Sequence, residues 1–133
     1  MAVATKTELF GENSAGDVMS YTVASATPVP KGTLMRISAT PRTAIASSLK
    51  GQVFVGIASA EKDSLDDSTN LGVWQNGVFE MTSSGSITFG DTVVLSSAAN
   101  TVEVGASTAS SAITVGMALN DAAGNLVTVR VNK

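Results

Sequence analysis

Apolar and polar residues alternate with a period of two along most of the chain, as they do in half-buried β-strands. Glycine, proline and asparagine separate the alternating stretches and predict turns between them. No stretch has the 3.6-residue spacing of an amphipathic helix, and β-branched residues are abundant. The pattern predicts an all-β chain with strands at residues 17–26, 33–39, 43–49, 52–60, 73–81, 92–96, 101–104, 113–119 and 126–131.

Two of these segments allow alternatives. Residues 43–49 fit a short strand or one helical turn, and their counterpart at 101–104 favours the strand. The dipeptide Asn76-Gly77 interrupts residues 73–81 and predicts either a two-residue hairpin turn or a bulge within one long strand. Alternation and size give the predicted core residues, which are Met19, Tyr21, Val23, Leu34, Ile37, Trp74, Phe79 and Phe89.

The second half of the chain repeats the first. Residues 31–38 (KGTLMRIS) are echoed by residues 89–96 (FGDTVVLS), and residues 55–58 (VGIA) by residues 115–118 (VGMA). We therefore expect two similar β modules, at about 30–81 and 87–131, that form a small barrel or a β-tulip-like body. A glycine within a strand marks a tight bend or a close backbone approach. The predicted structural glycines are Gly32, Gly56, Gly90 and Gly116.

Residues 1–16 predict an extended N-terminal arm before a single β domain at 17–133. Residues 2–7 are small or polar and compatible with a strand, and Leu9-Phe10 is the strongly apolar pair of the segment. Such an arm can add a strand to the sheet edge of a partner, and the alternative is a frayed terminus. The residues predicted to bind the partner are Ala2, Val3, Ala4, Thr5, Leu9 and Phe10.

Composition argues against most chemistry. The chain has no histidine and no cysteine, carries a net charge of −3, and has 14% charged residues. It therefore lacks the commonest general base and the usual nucleophile contexts, and no catalytic residue is predicted. The acidic balance argues against nucleic-acid binding, and no apolar run is long enough to span a membrane. No leader is recognised in the first residues, so synthesis and folding in the cytoplasm are expected.

The densest group of carboxylates lies at residues 61–67. A calcium site there would use Asp63, Asp66 and Asp67, but their spacing differs from that of an EF-hand loop. A solvated acidic loop is the favoured interpretation. No metal site and no cofactor is predicted.

Several segments, taken in order, resemble the head decoration proteins, or capsid cement proteins, of tailed bacteriophages. The resemblance covers nearly the whole chain. Two departures concern loops: residues 61–71 are longer and more acidic than the family pattern, and Lys31 stands where the second copy has Phe89. The segments that carry the resemblance are the arm with its Gly/Asp loop, residues 18–23, 30–35, 55–58 and 77–80, Gly90-Asp91, residues 115–118, and the end at 132–133.

The resemblance implies a structural protein without enzyme activity that binds the outer surface of the expanded phage head and stabilises it against internal DNA pressure. The implied partners are the major capsid protein and further copies of the chain, commonly as trimers, with no nucleic acid and no membrane. The implied location is the outer capsid surface of the virion, after synthesis in the host cytoplasm. In this interpretation, deleting residues 2–10 abolishes head binding and leaves the β body folded.

Two other functions remain open from the sequence. The first is another structural β module of the virion, associated with the tail or a fibre. The second is a small glycan- or ligand-binding β-barrel that uses Trp74 and the acidic loop.

Overall fold

The structure is a computed structural model that describes residues 3–8, 18–24, 27–48, 50–62, 69–106, 110 and 112–132. The described residues form strands and turns and no helix, which confirms the all-β prediction. The strands are β1 (Thr5–Glu8), β2 (Val18–Thr22), β3 (Leu34–Ile37), β4 (Ala44–Ala46), β5 (Phe54–Ala58), β6 (Asn70–Trp74), β7 (Asn76–Ser83), β8 (Thr92–Leu95), β9 (Thr101–Val104), β10 (Thr114–Ala118) and β11 (Leu126–Asn132).

One sheet closes into a barrel. Its order is β1-β7-β11-β10-β8-β9, and β9 also pairs with β7, so that β7, β11, β10, β8 and β9 form a closed ring of five strands. The closing contact is a short parallel pairing, with Thr82 opposite Thr101 and Ser83 opposite Val102. Closure leaves β1 outside the ring, on the edge of β7. The predicted small barrel is confirmed.

The other sheet curls without closing fully. Its order is β2-β6-β5-β3-β4. The two edge strands approach each other at one end, where the Thr22 N–H donates to the Arg42 carbonyl at 3.0 Å and Thr22 forms a bridge with Thr43. This contact protects part of each edge, and exposed edges are the sites where sheets pair with other chains.

The pairing repeats between the two halves. In the first module (β3–β6), β3 pairs with β4 and β5, and β5 pairs with β6; in the second (β8–β11), β8 pairs with β9 and β10, and β10 pairs with β11. Met35 lies opposite Gly56 and Val93 lies opposite Gly116, and the register shifts beside each of these pairs. Both modules therefore contain the same bulge, a feature that increases strand twist and helps a sheet to curve.

Strand β5 lies between two apolar clusters, and all five of its residues are buried. Phe54 and Ile57 belong to the larger cluster, which includes the barrel interior. Val55 and Ala58 belong to the smaller cluster, which fills the curled sheet. Strict alternation would place Phe54 and Ile57 on opposite faces of β5, but the bulge between Phe54 and Gly56 shifts the side-chain direction by one residue. One short strand therefore contributes side chains to both cores.

Most of the predicted core residues are where the pattern places them. Val23, Leu34, Trp74 and Phe79 are buried. Tyr21 and Ile37 are partly buried and pack against the smaller cluster.

Two core predictions are wrong. Met19 is exposed, because β2 is an edge strand whose residues are mostly open to solvent. Phe89 is 68% exposed, because it lies in the turn before β8 and not within a strand. Alternation applies only to residues that pair in a sheet with one covered face.

The two open alternatives are also decided. Residues 44–46 form strand β4, as the repeat favours. Residues 73–81 form neither a hairpin at Asn76-Gly77 nor one long strand with a bulge, so both alternatives are wrong. Strand β6 pairs within the curled sheet, β7 pairs within the barrel sheet, and the chain crosses between the two sheets at Gln75. Gly77 follows the crossing with φ of +142°, a value that favours glycine.

Gly56 and Gly116 lie at equivalent close approaches. A Cβ atom at Gly116 would overlap the carbonyl oxygen of Arg130, and one at Gly56 would overlap that of Trp74. In each module the third strand therefore approaches the fourth too closely for a side chain.

The N-terminal segment docks on the chain's own body. Strand β1 pairs with β7, with Thr5 opposite Glu80 and Lys6 opposite Phe79. Just before β1, the Ala4 N–H donates to the Gly32 carbonyl at 2.8 Å, and Ala4 is buried in the larger cluster.

The N-terminal segment packs against the turn at Gly32. Gly32 has φ of +88°, and a Cβ atom there would overlap the Ala4 carbonyl oxygen. The equivalent turn at Gly90 has φ of +87° and open space around it. The two turns also share a hydrogen bond, since the Gly32 and Gly90 N–H groups donate to the carbonyls of Ala58 and Ala118 at 2.9 and 2.7 Å.

Gly32→Ala is expected to release the N-terminal segment, whereas Gly90→Ala is its matched control. Both substitutions carry a strain of about 1–3 kcal/mol, because alanine disfavours positive φ. Gly32→Ala alone adds the clash with Ala4, about 1–3 kcal/mol more. Urea unfolding measures the difference in stability, and faster trypsin cleavage after Lys6 reports the release. Equal cleavage of the two variants would contradict the close packing of Ala4 against Gly32.

Gly116→Ala is expected to destabilise the barrel by about 1–3 kcal/mol, because the methyl group meets a backbone carbonyl that cannot move without shifting β11. Thermal unfolding followed by circular dichroism measures the change. Gly85→Ala, at φ of +77° in open space, carries backbone strain without a clash, whereas Gly116→Ala carries the clash without positive-φ strain. A stability of Gly116→Ala equal to that of the wild type would argue against the crowding.

Candidate interaction surfaces

The described part of the predicted arm faces this chain. Val3 is half-buried, Ala4 is buried, and Thr5 pairs with Glu80 of β7. Together they cover part of the barrel's exposed edge, so in this arrangement the strand that the arm can donate is already paired. The three other predicted binding residues, Ala2, Leu9 and Phe10, lie outside the described residues. Binding of the arm to a partner stays a prediction.

The charged residues are segregated along the chain. Residues 1–62 contain six basic and four acidic side chains, whereas residues 63–133 contain two basic and seven acidic ones. No lysine or arginine occurs between Lys62 and Arg130. The first half is therefore cationic and the second half strongly anionic.

One end of the barrel combines this negative charge with exposed apolar side chains. The Phe89 N–H donates to the Asp121 carboxylate at 3.0 Å, and the Ala118 N–H donates to the Asp91 carbonyl at 3.0 Å. These bonds hold the turn before β8 against the loop after β10. We call Phe89, Asp91, Leu119 and Asp121 the Phe89 surface; both of its apolar side chains are exposed.

Sequence reasoning missed this surface because it assigned Phe89 to the core. The repeat carried a signal that could have found it. Phe89 precedes Gly90 as Lys31 precedes Gly32, and a lysine at the equivalent position indicates an exposed turn.

The equivalent turn of the first module is basic and rich in proline. Pro28, Pro30 and Lys31 are exposed, and we call them the Pro-Lys turn. Val29 between the two prolines is buried and exchanges backbone hydrogen bonds with Lys62 at 2.8 and 2.7 Å. The Lys31 Nζ lies 5.6 Å from the centre of the Trp74 ring, a distance suited to a cation–π interaction.

Trp74 does not offer a face for sugar stacking. Its side chain is 7% exposed, and its ring packs against Phe79 with 5.6 Å between the centroids. The core or rim position predicted for Trp74 is confirmed. The glycan-binding hypothesis thereby loses its aromatic residue.

The described residues show no constellation for metal chemistry. Across them, no three carboxylates lie close enough to hold a metal ion together. The carboxylates of the calcium alternative, Asp63, Asp66 and Asp67, fall outside the described ranges. Within the described part of the chain, no helix has the length and apolarity to cross a membrane.

A partly exposed ion pair joins the two modules. The Lys50 Nζ lies 3.4 Å from the Glu103 carboxylate, between the segment after β4 and strand β9. Pairs of this kind contribute about 0–1 kcal/mol to stability. The pair brings a basic side chain from the cationic first half of the chain beside an acidic side chain from the anionic second half.

The fold is shared with a solved phage protein. The crystal structure of the head fibre gp8.5 N base of bacteriophage phi29 matches with a TM-score of 0.57 and 18% sequence identity, over 87% of this chain and 95% of that chain. At this identity the likeness shows a common fold. No curated protein sequence matches the chain significantly.

A family model described as phage cement protein matches residues 13–133, which include strands β2 to β11. The match covers most of the chain and confirms the resemblance that the ordered segments indicated. The chain belongs to the phage cement protein family.

Proposed function

We propose that this protein binds the outer surface of the expanded phage head and stabilises it against the pressure of the packaged DNA. Its partners in this proposal are the major capsid protein and further copies of itself, assembled as trimers where capsid subunits meet. It is made in the host cytoplasm and acts on the capsid without enzyme activity. The observation that carries the proposal is the family match over residues 13–133, which gives the chain a structural role in the virion.

The physical properties of the chain support this role. Few charges and many small polar side chains suit a surface that other protein covers. Weak contacts repeated across a shell add up through multivalency, without any single tight interface. A protein that binds only the expanded shell stabilises that state by linkage, in proportion to how far its concentration exceeds its dissociation constant.

A second candidate function is that of another virion module, associated with a tail or a fibre. The observation that favours it is the shared fold with the N base of a phage head fibre. Electron microscopy of particles labelled through this protein separates the candidates, since decoration of the whole head supports the first and a few discrete sites support the second.

The protein is expected to co-sediment with purified expanded heads of the phage that encodes it and not with unexpanded heads. The reason is that expansion rearranges the places where capsid subunits meet. The measurement is the bound fraction at increasing protein concentration, with heads lacking added protein as the blank. Equal binding to both head forms, or to neither, would contradict the proposal.

The role of the N-terminal arm is tested by two variants. Deletion of residues 2–10 is expected to abolish head binding, but it also uncovers the edge of β7 that β1 pairs with. The double substitution Leu9→Ser, Phe10→Ser leaves β1 in place and is expected to weaken head binding at least tenfold, about 1.4 kcal/mol. Circular dichroism checks the fold of each variant. Normal head binding by both folded variants would rule out the arm as a capsid ligand.

A further inference from the structure

The Phe89 surface is held in one conformation although its main side chain lies in solvent. The turn receives hydrogen bonds on both sides: the Asp91 carboxylate accepts from the Thr88 N–H at 2.9 Å, and the Asp121 carboxylate accepts from the Phe89 N–H at 3.0 Å. Phe89 is 68% exposed. An aromatic side chain presented on a fixed turn, beside the exposed Leu119, is typical of a binding surface. The fixed conformation of the turn lowers the entropic cost of binding.

The charge around this surface indicates a cationic partner. Asp91 and Asp121 flank Phe89, and the sequence from residue 63 to residue 129 contains no lysine or arginine. Complementary charge at an interface guides association and disfavours wrong partners. The occupant should therefore combine an apolar contact for Phe89 with a basic side chain beside it.

The Pro-Lys turn of the first module has this combination. Pro28 and Pro30 are exposed on a segment that the buried Val29 fixes to the body. Rigid proline-containing segments are common ligands of aromatic side chains, because little entropy is lost when they bind. Lys31 follows directly, and its amino group stays at the surface over the Trp74 ring. Both halves of a complementary contact thus occur in one chain, at equivalent turns of its two modules.

We propose that the Phe89 surface of one copy binds the Pro-Lys turn of a second copy, head to tail. Such a contact is heterologous, since two different surfaces meet, and repetition of it closes into a ring if the rotation between copies allows. The contact deepens the self-association that the proposed function includes, and because it forms in solution without heads, it can be tested separately from head binding. It identifies the faces through which copies of the chain associate.

Phe89→Ser is the first test. Sedimentation equilibrium of the wild type should show oligomers whose mass is a multiple of 13.4 kDa, and Phe89→Ser should weaken their association at least tenfold. The thermal midpoint measured at a concentration where both proteins are monomeric should not change, because Phe89 lies outside the core. Val18→Ser, which removes a 53% exposed side chain from β2, is the matched control and should associate normally.

Added salt provides a second measurement on the same proteins. Association should weaken from low to high ionic strength, because the charges that meet are exposed and screened. Asp121→Asn keeps an oxygen that can accept the Phe89 N–H bond and removes the charge, so it should weaken association and reduce the salt dependence. Unaltered association of Asp121→Asn would remove the electrostatic part of the proposal.

Cysteine cross-linking tests the direction of the contact, and the natural chain contains no cysteine that would interfere. Thr88→Cys and Thr27→Cys, at exposed positions beside Phe89 and beside the Pro-Lys turn, keep the proposed contact residues; they are made separately and then mixed under oxidising conditions. A covalent dimer that forms in the mixture and in neither variant alone supports the head-to-tail arrangement. A dimer of Thr88→Cys alone would overturn it in favour of a symmetric contact through Phe89.

Two further outcomes would also overturn the proposal. One is a wild-type protein that stays monomeric at all concentrations. The other is a Phe89→Ser variant that associates normally but no longer co-sediments with expanded heads, which would assign the Phe89 surface to the capsid. Failure of the wild type to bind heads, with concentration-dependent association intact, would reject the proposed function and leave this inference standing.

Discussion

The fold depends on the burial of β5 between two cores. Each of its five residues is shielded from solvent, with Phe54 and Ile57 directed to the larger cluster and Val55 and Ala58 to the smaller one. Burial of such side chains contributes about 1.5–3 kcal/mol each, and here the contribution is divided between two clusters. Because β5 contributes side chains to both clusters, a displacement of β5 that loosens the packing of one cluster also loosens the packing of the other. The barrel and the curled sheet are therefore coupled through a strand that belongs to the first module.

The same strand explains why the chain can leave one sheet for the other. After β6 the backbone crosses at Gln75, whose side-chain amide donates to the Val55 carbonyl of β5 at 2.7 Å. This hydrogen bond connects the crossing to the shared strand. The positive φ of Gly77 allows the sharp change of chain direction. From there β7 pairs with β11 from Asn76 to Thr82, and its opposite edge is divided between β1 and β9. The N-terminal strand and the closure of the barrel consequently use neighbouring parts of one edge.

Much of this arrangement could be predicted from the sequence, and the failures have physical causes. Alternation and the internal repeat can be read directly from the sequence, and they predicted most of the strands and a small barrel. Met19 and Phe89 were misplaced because alternation cannot tell an edge strand or a turn from a covered strand. Asn76-Gly77 predicted a hairpin turn or a bulge, because both are common settings for this dipeptide, and only long-range pairing shows that the chain changes sheets at Gln75. The packing of Ala4 against Gly32 joins two segments far apart in the sequence, and no local pattern encodes it.

The equivalent turns at Gly32 and Gly90 show what a covalently joined pair of modules allows. Two separate subunits related by symmetry would have to carry the same residue at both turns, because one gene would encode both. Two modules within a single chain are free of that restriction. One turn carries a lysine and supports the protein's own N-terminus, while the other carries a phenylalanine and faces outward. Two modules in one chain thus allow an asymmetric molecule to be built from one repeated pairing pattern.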